Sequence, residues 1–353
     1  MERLWIAPRL LALLALVGAL AAGPTPAIPE AASSPPAVSA SGLFLGGYTK
    51  REEPAGAATA ATGLYTQQVE LRVAAPVDSG TAARVTLALP RDGQLTFTEA
   101  YLVRQLSPVL ELQAGRFYAD FGHHNRLHPH QFPFLDPPLV LQRFFGASGI
   151  DEVGLGLRRV LPTPWRAALS VQLLNGDNPM WANNTDEDLL LVTHLSNAGL
   201  GAGAAVELGA TWATGRNLRE RYTNALGGDL TIDWRRAGGP RWLTWETEYV
   251  LATENLKEER RTRGGVSTNL QYRCGRRWWV QGRYDYYGLP RDRAEGWEDR
   301  FTALVAFVPD PRTPLRFDYS RWRVDRTGRG YNQYHVQLNF TIGSESPRPA
   351  AGE

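Results

Sequence analysis

From Tyr331 to Gly343 the chain reads YNQYHVQLNFTIG, and apolar and polar residues alternate without a break. Tyr334, Val336, Leu338, Phe340 and Ile342 share one side, while Gln333, His335, Gln337, Asn339 and Thr341 share the other. Strict period two predicts a β-strand with two unlike faces. The pattern recurs in LYTQQVELRV, where Glu70 and Arg72 oppose Val69, Leu71 and Val73. It recurs again in GGDLTIDW, WLTWETEYVL, GVSTNLQYR and PLRFDYS. The polar faces of these strands carry full charges, among them Asp229, Asp233, Glu246, Glu248, Arg273, Arg316 and Asp318. A packed core rejects unpaired charges, whereas a water-filled interior tolerates them.

Candidate strands number about sixteen, centred near residues 46, 69, 86, 101, 113, 156, 170, 192, 209, 229, 247, 269, 282, 304, 318 and 337. Two stretches, 94–106 and 299–308, carry apolar residues on both faces. The connections alternate in length. Residues 50–62, 118–150, 175–188, 253–264 and 289–299 make long ones. PVDSG, Ser107-Pro108, residues 162–164, RAGGP, residues 275–277 and PDPRTP make short ones. A transmembrane antiparallel β-barrel with long outside loops and short inside turns produces this alternation, and a closed barrel is the one sheet that spans lipid. An even strand number puts both termini on the periplasmic side. Trp242, Trp278, Trp279, Tyr284, Tyr286 and Tyr287 fall near strand ends and suggest an aromatic girdle at the membrane interface.

The flanking segments fit the same destination. Arg3, the apolar run from Leu10 and the small residues Ala19 to Ala21 read as a signal peptide over residues 1–21. Residues 22–41, rich in Pro, Ala and Ser, read as a disordered periplasmic linker. The barrel is expected over 42–343 and a short periplasmic tail over 344–353. Cys274 is the single cysteine, so no intrachain disulfide forms. A formal net charge of +2, with Lys50 and Lys257 the only lysines, gives no basic face for nucleic acid.

The segment LQAGRFYADFGHHNRLHPHQFPFLDPPLVLQRFFGASGIDEVGLGLRRVLPTPW contains a G-R-F strand end, H-x-H, D-x-P, F-F-G, a G-x-G strand and a P-x-P-W turn. It resembles the central part of bacterial outer-membrane porins of the phosphate-selective class. That resemblance implies a sixteen-stranded channel, usually a homotrimer, whose third outside loop folds inward and narrows the pore. Counting strands independently places the segment between the strands near 113 and 156, which is the third outside connection. Expected partners are outer-membrane lipid, lipopolysaccharide and small hydrophilic solutes or ions. The lumen-facing set mixes Glu70, Arg72, Glu246, Glu248, Arg283, Asp285, Arg316 and Asp318. Two lysines supply no ladder of cations for phosphate, so the substrate expected is any small hydrophilic solute that diffuses through.

Four of the six histidines, His123, His124, His128 and His130, lie in this connection, bracketed by Asp120 and Asp136. Three uses compete for them. In the first the connection is a proline-stiffened constriction, with Arg126 and Arg143 on its positive side and Asp120 and Asp136 on its negative side. In the second the four histidines with Asp120 or Asp136 hold Zn²⁺ or another divalent metal, since imidazole and carboxylate are its ligands. In the third the barrel is an outer-membrane hydrolase using Ser148 and Asp151, although no G-x-S-x-G elbow is present. A porin without cofactor or catalytic step is the leading expectation. The acidic stretch 175–188 reads as a plain surface loop, and 257–261 as a solvated outside loop.

Overall fold

The computed structural model describes residues 35–51, 62–181, 188–201, 203–235, 242–256, 259–290, 296–325 and 329–344. Its strands are β1 Ala37–Arg51, β2 Gly63–Asp78, β3 Thr81–Pro90, β4 Thr96–Ser107 and β5 Leu110–Tyr118. After a long connection come β6 Asp151–Val160, β7 Arg166–Leu174, β8 Leu190–Gly201, β9 Ala204–Arg216, β10 Tyr222–Arg235 and β11 Trp242–Asn255. The chain finishes with β12 Arg260–Arg273, β13 Trp278–Leu289, β14 Glu298–Phe307, β15 Leu315–Val324 and β16 Arg329–Gly343. Each strand pairs antiparallel with its sequence neighbours, and β1 closes the sheet on β16 from Ser39↔Gly343 to Arg51↔Tyr331. Each of the sixteen expected centres lies inside one of these strands.

Closure gives every ladder a partner, so the sheet has no exposed edge. The alternation then sorts side chains by face. On β16, Ile342 is 59% exposed on the outer side while Gln337 is 0% exposed on the inner side. Glu246, Glu248, Asp285 and Asp318 are likewise buried inside, and Trp245, Leu270 and Phe317 are exposed outside.

Several boundaries differ from expectation. The strand β1 begins at Ala37, inside the tract read as linker. Residues 1–34 and 345–353 lie outside the described residues, and with them the signal peptide and nearly all of the tail. Lys257 and Glu258 lie outside as well. The long connection 253–264 is mostly strand, because the ladder continues through Thr253↔Thr262 to Asn255↔Arg260. Backbone pairing is indifferent to side-chain polarity, so polar ends extend beyond the alternating pattern.

The expected girdle is split. Adjacent strand residues face opposite sides, so Trp278 and Trp279 cannot both meet lipid. Trp278 and Tyr284 are exposed outside. Trp279 instead meets Trp242 edge-on at 5.0 Å, with the Arg273 guanidinium 4.7 Å from the Trp242 ring. Tyr287 packs against Phe144 of the third connection.

Candidate functional site

The connection between β5 and β6 is built from two 3-10 turns, His124–Arg126 and Pro129–Gln131, and one short helix, α1, Leu139–Phe145. Pro129 starts the second turn with φ already set for it. The Gln131 side chain accepts from His128 N at 3.0 Å, and Gln131 N donates back to His128 O at 2.8 Å. Pro138 precedes α1, and Gly146 at φ 80° ends it in a conformation that β-carbons resist.

The apolar face of α1 anchors one half of the connection. Val140, Leu141, Phe144 and Phe145 bury themselves with Phe117, Phe121, Leu174, Trp181 and Val250. Trp181 stacks on Phe145 at 5.7 Å and donates from Nε1 to Thr223 O at 3.1 Å. Asn178 Nδ2 donates to Phe145 O and Gly149 O, while Glu152 accepts from Gly176 N and Asn178 N. Asn178, Met180 and Trp181 are therefore buried with this core, which corrects the surface-loop expectation for that part of the stretch. Residues 182–187 lie outside the described residues.

Polar anchors hold the other half, and they reach strands all round the closed sheet. On β7, Gln172 accepts from Asp120 N at 2.9 Å. On β9, Thr211 accepts from Gly122 N, and on β11 Glu248 Oε1 accepts from His123 N and His124 N at 2.7 and 2.8 Å. Gly122 has φ +64°, and a Cβ there would fall 2.4 Å from Glu248 Oε1. Gly122→Ala is expected to cost about 1–3 kcal/mol, from strain at positive φ plus loss of these bonds. A thermal unfolding midpoint checks this against Gly93→Ala, whose Cβ would meet nothing at φ +78°.

Across the barrel, His128 lies between two carboxylates. Its Nδ1 is 2.9 Å from Glu70 Oε1 and its Nε2 is 3.1 Å from Glu99 Oε2. Both ring nitrogens therefore carry hydrogens. Burial works against that charge, but Glu70 and Glu99 more than offset it and hold the His128 pKa above the ordinary histidine value. His130 Nδ1 donates to Glu70 Oε2 at 2.7 Å. With this single carboxylate, burial prevails and pushes His130 below the ordinary value.

The third anchor is Asp136. Arg283 Nη2 reaches it at 2.5 Å, and Arg300 bonds it from Nη1 while donating from Nε to Asp285 Oδ2 at 2.9 Å. Despite burial, Arg300 and Arg283 hold the Asp136 carboxyl well below the usual carboxylate range. Leu139 N caps the other Asp285 oxygen at 3.1 Å. Arg316 Nη1 and Asn339 Nδ2 donate to the backbone carbonyls of Phe132 and His130.

The four residues expected at one constriction thus lie in three places. Asp120 and Arg126 stay together at 4.0 Å, joined by Glu207 on β9 at 3.7 Å. Glu111 on β5, Arg158 on β6 and Arg84 on β3 lie within electrostatic reach of this group. Asp136 is neutralised elsewhere, and Arg143 pairs with Glu298 at 2.6 Å. The expected lumen residues do face inward. However, Glu70, Glu248, Arg283 and Asp285 are covered by the connection, and so do not line open water.

The histidines do not form the expected metal cluster either. His128 and His130 turn to Glu70, the His123–His124 backbone sits on β11, and Asp136 belongs to the arginines. Among the described residues no three His, Cys, Asp or Glu side chains are placed to hold a metal together. Ser148 is exposed and Asp151 is paired with Arg116 at 3.1 Å, so the two make no nucleophile and base.

No protein-family profile matches the chain. An uncharacterized protein of Aquifex aeolicus is 25% identical over 331 aligned residues, covering 81% of this chain and 70% of that protein. The anion-selective porin from Comamonas acidovorans superposes with a TM-score of 0.62 at 12% identity, over 87% of this chain and all of that one. The fold is that of the outer-membrane porins. OmpT, an outer membrane protein of Vibrio cholerae, gives 0.57 at 8% identity over 88% of this chain and 100% of its own, in a trimer form. Pseudomonas aeruginosa OpdL gives 0.52 at 11% identity over 88% of this chain and 99% of its own.

Residues missed in the sequence include Arg300, Glu99 and Glu207. The mixed facing of 299–308 was the available signal for Arg300. Leu304 and Ala306 point inward because Phe134 and Leu135 of the connection pack on them. Likewise Tyr101, in the mixed stretch 94–106, packs inward on Phe117.

Proposed function

We propose that this chain is a bacterial outer-membrane porin through which small hydrophilic solutes or ions diffuse, with residues 119–150 folded into the lumen as its constriction. One observation carries the reading. Inside a closed barrel with an apolar outer wall, Arg84, Arg126 and Arg158 are gathered with Glu111, Asp120 and Glu207. Lipid accommodates the outside, and only water accommodates so many charges within. The connection is tied to opposite walls, and we place the passage beside this charged group. Pore width sets the size limit, and the facing charges set ion preference. A mixed set suits general diffusion better than selection of phosphate. Both termini are placed in the periplasm, and assembly as a homotrimer is part of the proposal. Neither a bound cofactor nor a catalytic step enters the mechanism.

Planar-bilayer conductance of the refolded protein in KCl tests the channel. Steady conductance that micromolar Zn²⁺ leaves unchanged is expected. A barrel that passes no current would sink the proposal, and zinc block abolished by His128→Ala with His130→Ala would favour the metal reading. Arg126→Glu exchanges one cation for an anion beside Asp120 and Glu207, so the reversal potential in a KCl gradient should shift toward K⁺. An unchanged reversal potential would show that ions do not pass this group.

A further inference from the structure

One register row across the closed sheet alternates cation and ring. The ladders set Arg235 opposite Trp242, Trp242 opposite Arg273, and Arg273 opposite Trp279. They continue with Trp279 opposite Ala306 and Ala306 opposite Arg316. Directly paired residues share a face of the sheet, so all six turn into the lumen. Arg235 ends β10 and Arg273 ends β12, at the same mouth of the barrel where β16 ends. With Leu127 and Phe132 of the connection, the row lines a cavity of about 400 Å³, the size of pockets that take small molecules. Asp120, Arg126 and Glu207 do not line it, so it is a site apart from the charged group at the constriction.

The row holds its cations by their faces. Trp242 and Trp279 meet edge-on at 5.0 Å. The Arg273 guanidinium lies 4.7 Å from the Trp242 ring and 5.6 Å from Trp279, and that of Arg235 lies 5.5 Å from Trp242. Stacking occupies the face of a guanidinium, whereas its N–H donors point outward in its plane. Arg273 donates from Nε to Gly275 O at 2.9 Å and from Nη2 to Arg276 O at 3.0 Å, which fixes the fork on neutral acceptors and leaves Nη1. Arg276, from the same turn, lines the cavity too. Among the described residues the lining therefore sets Arg235, Arg273, Arg276 and Arg316 against two carboxylates, Asp233 and Glu246. Both carboxylates already accept hydrogen bonds, from Thr244 and Asn269. The connection from β14 to β15 adds an apolar side made of Val308, Pro309, Pro311 and Pro314. Its prolines present rigid hydrocarbon and no backbone donor.

We propose that this cavity binds a small organic anion, in which a carboxylate, sulfonate or phosphate ester is carried on a flat apolar body. The anionic group meets the Nη1 edge of Arg273 together with Arg235 and Arg276, as planar guanidinium forks suit such oxyanions. The apolar body lies against Trp279 and the prolines. Each half of the ligand uses one half of the cavity. An inorganic anion leaves the apolar side facing water, and a neutral ring leaves the guanidiniums without a counter-charge. Binding is measured directly, so this assignment stands or falls apart from conduction through the barrel.

The test is isothermal titration of the refolded full-length protein, against a detergent blank, with benzenesulfonate, methanesulfonate and benzenesulfonamide. The first carries both ring and charge, and each of the others lacks one of them. One benzenesulfonate per barrel is expected, with the other two weaker by about tenfold or more. Arg273→Gln and Arg276→Gln should each weaken benzenesulfonate about tenfold, since each removes a charged donor. Arg276 is exposed in a turn outside the ladders, so its variant still reports if Arg273→Gln fails to fold. Three results overturn the assignment. They are no saturable heat with benzenesulfonate, equal binding of either half-ligand, or binding in both variants equal to that of the parent.

Discussion

Arg300→Ala is expected to destabilise the barrel by about 3–5 kcal/mol, the usual cost of removing one partner from a buried ion pair. It should also widen the open channel. Arg300 is 2% exposed, and its guanidinium bonds Asp136 and Asp285 while lying 4.5 Å above the Trp322 ring. Without it, Arg283 alone faces two carboxylates, one at 2.5 Å and the other at 3.0 Å. One negative charge is then buried without compensation. Asp136 belongs to the connection and Asp285 to the wall, so the lost energy is the energy that keeps the two together. Arg300→Lys keeps the charge but cannot bond both carboxylates in a fork, and should fall between parent and alanine. Chemical unfolding in detergent and single-channel conductance measure the two effects. An alanine variant within about 0.5 kcal/mol of the parent, at unchanged conductance, would show that the apolar face of α1 holds the connection unaided.

Raising the pH is expected to loosen the same connection at its other anchor. The His128 imidazolium donates to Glu70 and Glu99 at 2.9 and 3.1 Å. Its folded pKa lies above the unfolded value of 6.5. A group raised in this way contributes its full stability below the unfolded pKa, and that stability is lost as pH climbs through the folded pKa. The window therefore opens above 6.5 and extends upward. His130 acts in the opposite sense, since its pKa is lowered from 6.5 and its contribution is lost as pH falls. Above the window's lower edge His130 is neutral in both states, so the two histidines separate on the pH axis. The unfolding midpoint should decline as pH rises above 6.5 in the parent, and open-channel noise should grow with it. His128→Gln should flatten the profile and cost about 1.5–3 kcal/mol at the acid end, as lost hydrogen bonds to charged partners do. The same slope in both proteins would remove His128 from the account.

Both anchors join residues far apart in the chain, and that distance marks what the sequence could disclose. Sixteen strands, their two faces and the third long connection were legible because each depends on the residue itself. Ile342 faces lipid and Gln337 faces inward wherever the strand lies, since period two carries polarity directly onto the sheet. The same rule contradicts a girdle made of both Trp278 and Trp279, and it could have been applied in advance. Asp120 and Arg126, expected on opposite sides of the constriction, instead lie together at 4.0 Å within one bend.

The remaining contacts were decided by the tertiary structure. Glu70 lies 58 residues from His128, and Asp136 lies 164 from Arg300. Four histidines in eight positions look like one site in the sequence. Pro129 and the turn it starts send two of them toward β2, while Gly122 sets the bend before His123 against β11. Residues 175–181 looked polar enough for a surface loop, yet Trp181 finds Phe145 only once α1 is in place. Polarity alone chooses between lipid and interior, so the sequence by itself determined the barrel. Inside, charged groups must find opposite charges across the lumen, and only the register of the closed sheet and the path of one connection bring those partners together.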